Sequence, residues 1–352
     1  MPRKWSLEMT GMLIHGSTEM KVFVAAPAGQ ASGGPELLQQ LVSALRKRGI
    51  SAYMYYYRRV EGVDPRHIEF AQYENPYVDV VDDQGNNVLI VPETKTDILH
   101  DYSNIKKVVW WLSIDFYYDA MGFSVSIHGP LSIPLLRKMI LFGKSSRKKK
   151  NFFFRDKRYK DYYHFVQSEY AAEHLRTKDV DKDRVFYLSD YLNADFISSG
   201  SAATSAEKKD IVIYNPKKGF EFTSQLIAHC PDIEFVPLEN MTRAQVVELL
   251  QMAKVYIDFG EHPGKDRIPR EACISGACII TGLSGSAGNS VDLPIPTGFK
   301  FSRHFSNLAA ISEEIRLCFT MYEEKSALFA EYREKIRAEE ARFYRDVEEV
   351  FS

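Results

Sequence analysis

The residues best equipped for chemistry lie in FGEHPGKDRIPREACISGACIITG, Phe259–Gly282. A charged loop broken by glycine and proline separates an apolar run, VYIDF, from a segment that reads as a helix starting near Ile268 or Pro269. Proline is favoured in the first helical turn, where its missing N–H has no partner to lose. The unpaired N–H groups of such a turn, with the dipole behind them, attract anions. Gly264 lets backbone come close to a phosphate. Lys265, Arg267 and Arg270 can add charge-assisted bonds, and Glu271, one turn in, can accept from ribose hydroxyls. The chemistry is recognition of a phosphorylated ligand. On residue types alone, a capped helix behind a solvated charged loop is the alternative.

A second stretch, LSIPLLRKMILFGKSSRKKKNFFFRDKRYK, carries 11 Lys or Arg between Arg137 and Lys160 against one acid, Asp156. Apolar and aromatic residues are interleaved with the charge. That combination suits an anionic lipid surface or a diphosphate-linked lipid acceptor, with a solvated charged face as the plain alternative. Nucleic-acid binding is the competing functional reading of this stretch; the net charge of −2 makes the chain as a whole no polyanion binder, and no nucleic acid is expected as a partner.

These stretches must be positioned by the elements around them. KVFVAAP, a glycine-rich loop, PELLQQLVSALRKRG and ISAYMYYY read as strand, loop, helix and strand, the opening of a parallel α/β unit. NVLIVPE, TKTDILHDY, KKVVWWLSID, YHFVQS, EYAAEHLRTK and DRVFYLSDYL continue the alternation. The small, polar SSGSAATSAEKKD then reads as a linker. A second series follows: DIVIYNP, GFEFTSQLIAHC, IEFVPLE, TRAQVVELLQMA, KVYIDFG, IPREACISG and ACIITG. The expected organisation is an N-terminal Rossmann-like domain over 1–197 with a basic insertion at 131–160 and a linker at 198–210. A C-terminal Rossmann-like domain over 211–320 and helices over 321–352 complete it.

At 352 residues the chain can bury two cores. No run reaches the roughly 18 to 20 apolar residues of a membrane span, and Met9–Ile14 is too short for a secretion signal. Cys230, Cys273, Cys278 and Cys318 lack metal-ligand spacing and read as buried thiols in a reducing compartment. The expected location is cytoplasmic, with any membrane contact peripheral, at the inner face of the cell membrane.

PGKDRIPREACISGACIITG, preceded by AKVYIDFG, resembles the C-terminal domain of GT-B fold glycosyltransferases. The likeness is greatest to the bacterial polysaccharide-cluster subset carrying P-G-K-D-x-x-P-R-E-A, and extends to family 1 and family 4 domains. In the broader retaining families this place holds E-x7-E, whose second Glu binds the donor ribose. The resemblance gives Glu271 that role, while Pro263 stands at the first Glu position. IYNPKKGFEF resembles the opening of the same domain, where a lysine before glycine contacts the donor diphosphate. This implies that role for Lys218, although Ile213 replaces the arginine usual five residues earlier. TGLSGSAGNSVDLPIP is similar to the loop after the E-A motif. GGPELLQQLVSALRKRG resembles the glycine loop and helix by which the N-terminal domain approaches donor phosphate or sugar, implicating Gly33 and Gly34. With Gly29 these do not make G-x-G-x-x-G, so a dinucleotide is disfavoured.

The resemblance implies an α/β GT-B fold, two Rossmann-like domains facing a cleft, with C-terminal helices packing back on the N-terminal domain. It implies a metal-independent glycosyltransferase, without cofactor, that moves sugar from a nucleotide-diphosphate donor to a saccharide or lipid-linked acceptor. If the reaction inverts, Asp115, expected at the end of a buried strand, is the first candidate base and His128 the second. Two rivals stay open. One is a nucleotide-sugar epimerase of the same fold, using His262 and Asp266; the other is a non-catalytic nucleotide- or lipid-binding scaffold.

Overall fold

A computed structural model describes residues 20–120, 154, 157–197 and 207–351. His128, most of the basic segment and the middle of the expected linker lie outside the described residues. The chain divides into two compact units, one from Met1–Gln167, Ala171–Asp190 and Ala341–Ser352, the other from Ser168–Tyr170 and Tyr191–Glu340.

The first unit is built on a parallel sheet of β1 (Lys21–Pro27), β2 (Ser51–Tyr57), β3 (Tyr77–Val78), β4 (Val88–Pro92), β5 (Lys106–Trp111), β6 (Tyr163–Val166) and β7 (Val185–Tyr187). The order is β3-β2-β1-β4-β5-β6-β7, so the chain winds outward from β1 and then restarts on its other side. Central strands of a sheet covered on both faces must be apolar throughout, and all five residues of β4 are buried.

Helix α1 (Gly33–Lys47) covers the sheet with Leu37, Leu38, Leu41, Val42 and Leu45, all buried at helical spacing. Its end is set by Gly49, whose φ of +80° closes a turn with Gly49 N donating to Arg46 O and Ile50 N to Leu45 O.

Two expectations about this unit are corrected. TKTDILHDY forms a 3-10 segment, Glu93–Asp101, rather than an α-helix. The strand expected to run to Asp115 ends at Trp111, and Asp115 lies instead in the first turn of helix α2 (Ile114–Ala120). The local cause is Ser113, whose hydroxyl accepts from Phe116 N at 3.1 Å and starts the helix. Helix α3 (Glu169–Arg176) and β7 follow, β7 with only three of the ten residues expected to be extended.

The second unit holds a parallel sheet of β8 (Lys209–Tyr214), β9 (Glu234–Pro237), β10 (Ala253–Asp258) and β11 (Cys278–Thr281), in the order β11-β10-β8-β9. Helices α4 (Phe220–His229), α5 (Arg243–Met252) and α6 (Arg267–Ile274) alternate with the strands. Thr242 and Gln245 close a capping box at the start of α5. Helices α7 (Leu308–Thr320), α8 (Tyr322–Ala327) and α9 (Ala330–Arg337) also belong to this unit. The last helix, α10 (Glu339–Phe351), has its residues from Ala341 onward in the first unit. There Phe343, Val347 and Val350 are buried along one face, and the Phe351 ring meets Phe165 edge-on at 6.0 Å. The four cysteines are buried and unbridged.

Candidate functional site

In an open parallel sheet, ligands bind beyond the carboxyl ends of the strands where the winding direction reverses. In the second unit that point lies between β8 and β10, because β9 is added on one side of β8 and β10 on the other. Two segments leave the sheet here: the 215–219 loop after β8, which brings Lys218, and the 259–266 loop after β10. A third, after β11, closes over them.

These loops touch backbone to backbone. A side chain at Gly219, where φ is +58°, would put its Cβ 2.4 Å from Phe259 O. One at Gly285, where φ is +59°, would come within 2.0 Å of His262 O. Ser286 then ties the third loop down, its N donating to His262 O at 2.9 Å and its hydroxyl to Gly264 O at 2.5 Å.

Inside this scaffold is a buried charged cluster. Asp258, the last residue of β10, accepts from Tyr256 OH and from Gly260 N, each at 2.9 Å. His262 lies between two carboxylates, with Nε2 3.5 Å from Asp258 Oδ1 and Nδ1 3.1 Å from Asp266 Oδ2. The Lys218 ammonium is paired with the same Asp266 oxygen. His262 and Asp258 are 1% and 3% exposed, so water screens these charges little.

Burial disfavours the charged form of each group, but the partners outweigh it. His262 is raised to about 10 by Asp258 and Asp266. Asp258 is held below the usual carboxylate range by His262, Lys218 and the Gly260 N–H. Asp266 is lowered by His262 and Lys218, and Lys218 is raised chiefly by Asp266 and Asp258. For Tyr256, burial and Asp258 act together to push the phenol well up.

Asp258, His262 and Asp266 bring ligand-type atoms within 4.8 Å of one another, a spacing that suits a cation. The Lys218 ammonium is paired with one of these carboxylates, Asp266, and among the described residues the Nε2 of His262 makes no hydrogen bond.

The basic residues expected to form one anion socket are divided between two tasks. Lys218 stands at the switch point. Lys265 Nζ pairs with Glu339 Oε1 at 2.8 Å, and Arg270 Nη1 with Glu339 Oε2 at 2.7 Å. Arg270 is fully buried and also donates to Asp266 O and Lys265 O at 3.2 and 3.3 Å. In this position it braces the loop. Helix α6 begins at Arg267, with Asp266 as its N-cap, so Pro269 is its third residue rather than its first. Arg267 and Glu271 are half-buried on its first turns.

Several residues here had no signal in the sequence. Arg303 reaches in from a distant loop, its Nη2 2.6 Å from Glu261 Oε1 and 2.8 Å from Ser284 Oγ. Asp258 was legible only as the end of an apolar strand. His262, which with Asp266 would serve an epimerase, is buried between Asp258 and Asp266.

In the first unit the corresponding switch point lies between β1 and β4. Gly33 and Gly34 begin α1 beside it, and Gly34 has room for contact with Leu112 at 3.5 Å. Across from them Glu93, directly after β4, is buried and accepts from Leu112 N at 2.9 Å. Burial pushes its carboxyl up to about 8. An acid immediately following a wholly apolar strand is the signal that could have found it. Asp115 is half-buried.

No family model and no curated relative matches the sequence. Solved structures do. HepE of Anabaena in complex with UDP-glucose superposes with a TM-score of 0.59 at 11% identity, covering 94% of this chain and 98% of that one. Sucrose-phosphate synthase of Thermosynechococcus elongatus gives 0.59 at 13% identity, covering 91% and 94%. WaaG, a glycosyltransferase involved in lipopolysaccharide biosynthesis, gives 0.54 at 12%, covering 93% and 99%. The shared architecture is the GT-B fold.

Proposed function

We propose that this chain is a glycosyltransferase that takes a sugar from a nucleotide-diphosphate donor. The observation that carries the reading is Lys218, an ammonium held at the switch point of the second sheet within a GT-B fold. A leaving nucleoside diphosphate develops negative charge as the glycosidic bond breaks, and preorganised positive groups in a partly dry site favour that charge most. Lys218 supplies the charge, the first turn of α6 supplies N–H groups, and Glu271 holds the ribose. In this proposal the transfer needs no metal ion or organic cofactor.

The acceptor is proposed to be a saccharide or lipid-linked sugar of a surface polysaccharide, received by the first unit, with Asp115 or His128 as base if the reaction inverts. The basic segment would meet an anionic lipid surface at the cytoplasmic face of the cell membrane. Among the described residues no helix is long and apolar enough to cross a membrane.

Calorimetric titration with UDP, GDP and other nucleoside diphosphates tests the donor site, followed by a donor-hydrolysis panel. Glu271→Ala and Lys218→Ala should each weaken binding at least about tenfold, the loss of one charged hydrogen bond, with the fold retained. Unchanged binding in both variants refutes the placement of the donor. Binding without turnover of any donor would make the chain a scaffold.

A further inference from the structure

The imidazole of His262 is joined unequally to its two carboxylates. Nδ1 lies 3.1 Å from Asp266 Oδ2, a hydrogen-bond length, and there the ring N–H donates. Nε2 lies 3.5 Å from Asp258 Oδ1, too far for such a bond. It is buried, and among the described residues it makes no hydrogen bond. A buried polar atom that faces a carboxylate oxygen without bonding to it calls for a third party between them.

Two ligands of one metal ion stand at that separation. With bonds of about 2.0–2.2 Å and a tetrahedral angle, an imidazole nitrogen and a carboxylate oxygen on zinc are roughly 3.4 Å apart. The proton on Nδ1 leaves the lone pair on Nε2. A carboxylate behind the ring, as Asp266 is here, is the usual support of a ligating histidine. Asp258 is itself held, its Oδ2 by Tyr256 OH and its Oδ1 by Gly260 N, and each oxygen keeps a second acceptor position. The Lys218 ammonium pairs with Asp266, on the Nδ1 side of the ring.

We propose that Asp258 Oδ1 and His262 Nε2 bind one divalent transition-metal ion, with Asp266 orienting the imidazole from behind. A nitrogen ligand beside a carboxylate selects zinc or a neighbouring transition metal over magnesium or calcium, which prefer oxygen alone. Water completes the coordination. The two ligands are four residues apart, one ending β10 and the other within the loop after it, so the ion clips that loop to its strand. It takes no part in glycosyl transfer, and the inference stands apart from the donor reading.

The full chain, freed of metal by a chelator that is then dialysed away, is titrated calorimetrically with zinc and with magnesium, with thermal melts alongside. Zinc should bind and raise the melting temperature, as a ligand of the native state does; magnesium should do neither. His262→Gln and Asp258→Asn should each abolish one zinc site and the rise in melting temperature. Asp266→Ala should keep the ligands and weaken zinc about ten- to a hundredfold, the usual cost of removing the group behind a ligating histidine. Zinc binding that is unchanged in folded His262→Gln refutes the site. So does no zinc binding by the unaltered chain, in which case the imidazole bridges its carboxylates without an ion. Magnesium binding as tight as zinc refutes the assigned ligand chemistry. Should the variants not fold, anomalous diffraction from zinc-soaked crystals of the unaltered chain decides: a peak between Asp258 and His262 supports the site, and none there overturns it. Titration with UDP in the presence of chelator tests the donor site separately, so either reading can fail without the other.

Discussion

Arg270→Ala is the substitution whose outcome separates a brace from a ligand contact. The guanidinium is fully buried, donates to Glu339 at 2.7 Å and holds two backbone carbonyls of the 259–266 loop. Removing one member of a buried ion pair costs roughly 3–5 kcal/mol, because the other charge is left without compensation. Here Glu339 keeps Lys265 at 2.8 Å, which places the loss near the lower bound, at about 3 kcal/mol. For a unit of this size that corresponds to a fall of about 6–12 °C in Tm.

The assay is urea or thermal unfolding of Arg270→Ala, Glu339→Gln and the double variant. The double loss should fall short of the sum by about 1–3 kcal/mol, as expected for residues in one network. A loss below about 1 kcal/mol, or strict additivity, would refute the brace. So would a folded variant at full stability whose only defect is weaker diphosphate binding.

Two further outcomes test the scaffold of each unit. Gly219→Ala should destabilise by about 2 kcal/mol or more, since a left-handed backbone and a Cβ pressed to 2.4 Å from Phe259 O act together. Gly49→Ala meets nothing within 4 Å and should lose only the backbone part, about 1 kcal/mol, in the same urea titration; equal losses would refute the close approach of the two loops. Glu93 keeps its proton in the native chain up to about 8, against 4.5 when unfolded. Across that window folding takes up a proton, so native stability falls as pH rises. Glu93→Gln should remove this contribution, gaining on the unaltered chain as pH increases; a difference between the two that is flat with pH would refute it.

Much of the fold was legible because its signals are local. The apolar runs at 21–27, 88–92, 253–258 and 278–281 became central strands, and the spacing of Leu37, Leu41 and Leu45 became the buried face of α1. The loop at 259–266 stood out as a candidate because glycine, proline and charge cluster there within a few residues. Lys218 was legible only through its resemblance to known domains. The limits of the strands were read less well. The run WWLSID looked extended to Asp115, yet one hydroxyl, Ser113, starts a helix within it.

What the sequence by itself determined was therefore which segments form strands and helices, and which loop carries the charge. Only the tertiary structure decided how that charge is used. Lys265 sits in the same loop as His262 and Arg270 in the helix that follows it, but Glu339, about seventy residues on in the chain, pairs with both of them. Lys218 and Arg303 come in from opposite directions in sequence to pair with Asp266 and Glu261 of that loop. Hydrophobic periodicity is a property of neighbours along the chain, whereas a buried charge is stable only beside a partner. Which partner it finds is settled by how segments distant in the chain pack together, as the last helix does in bringing Glu339 to Lys265 and Arg270.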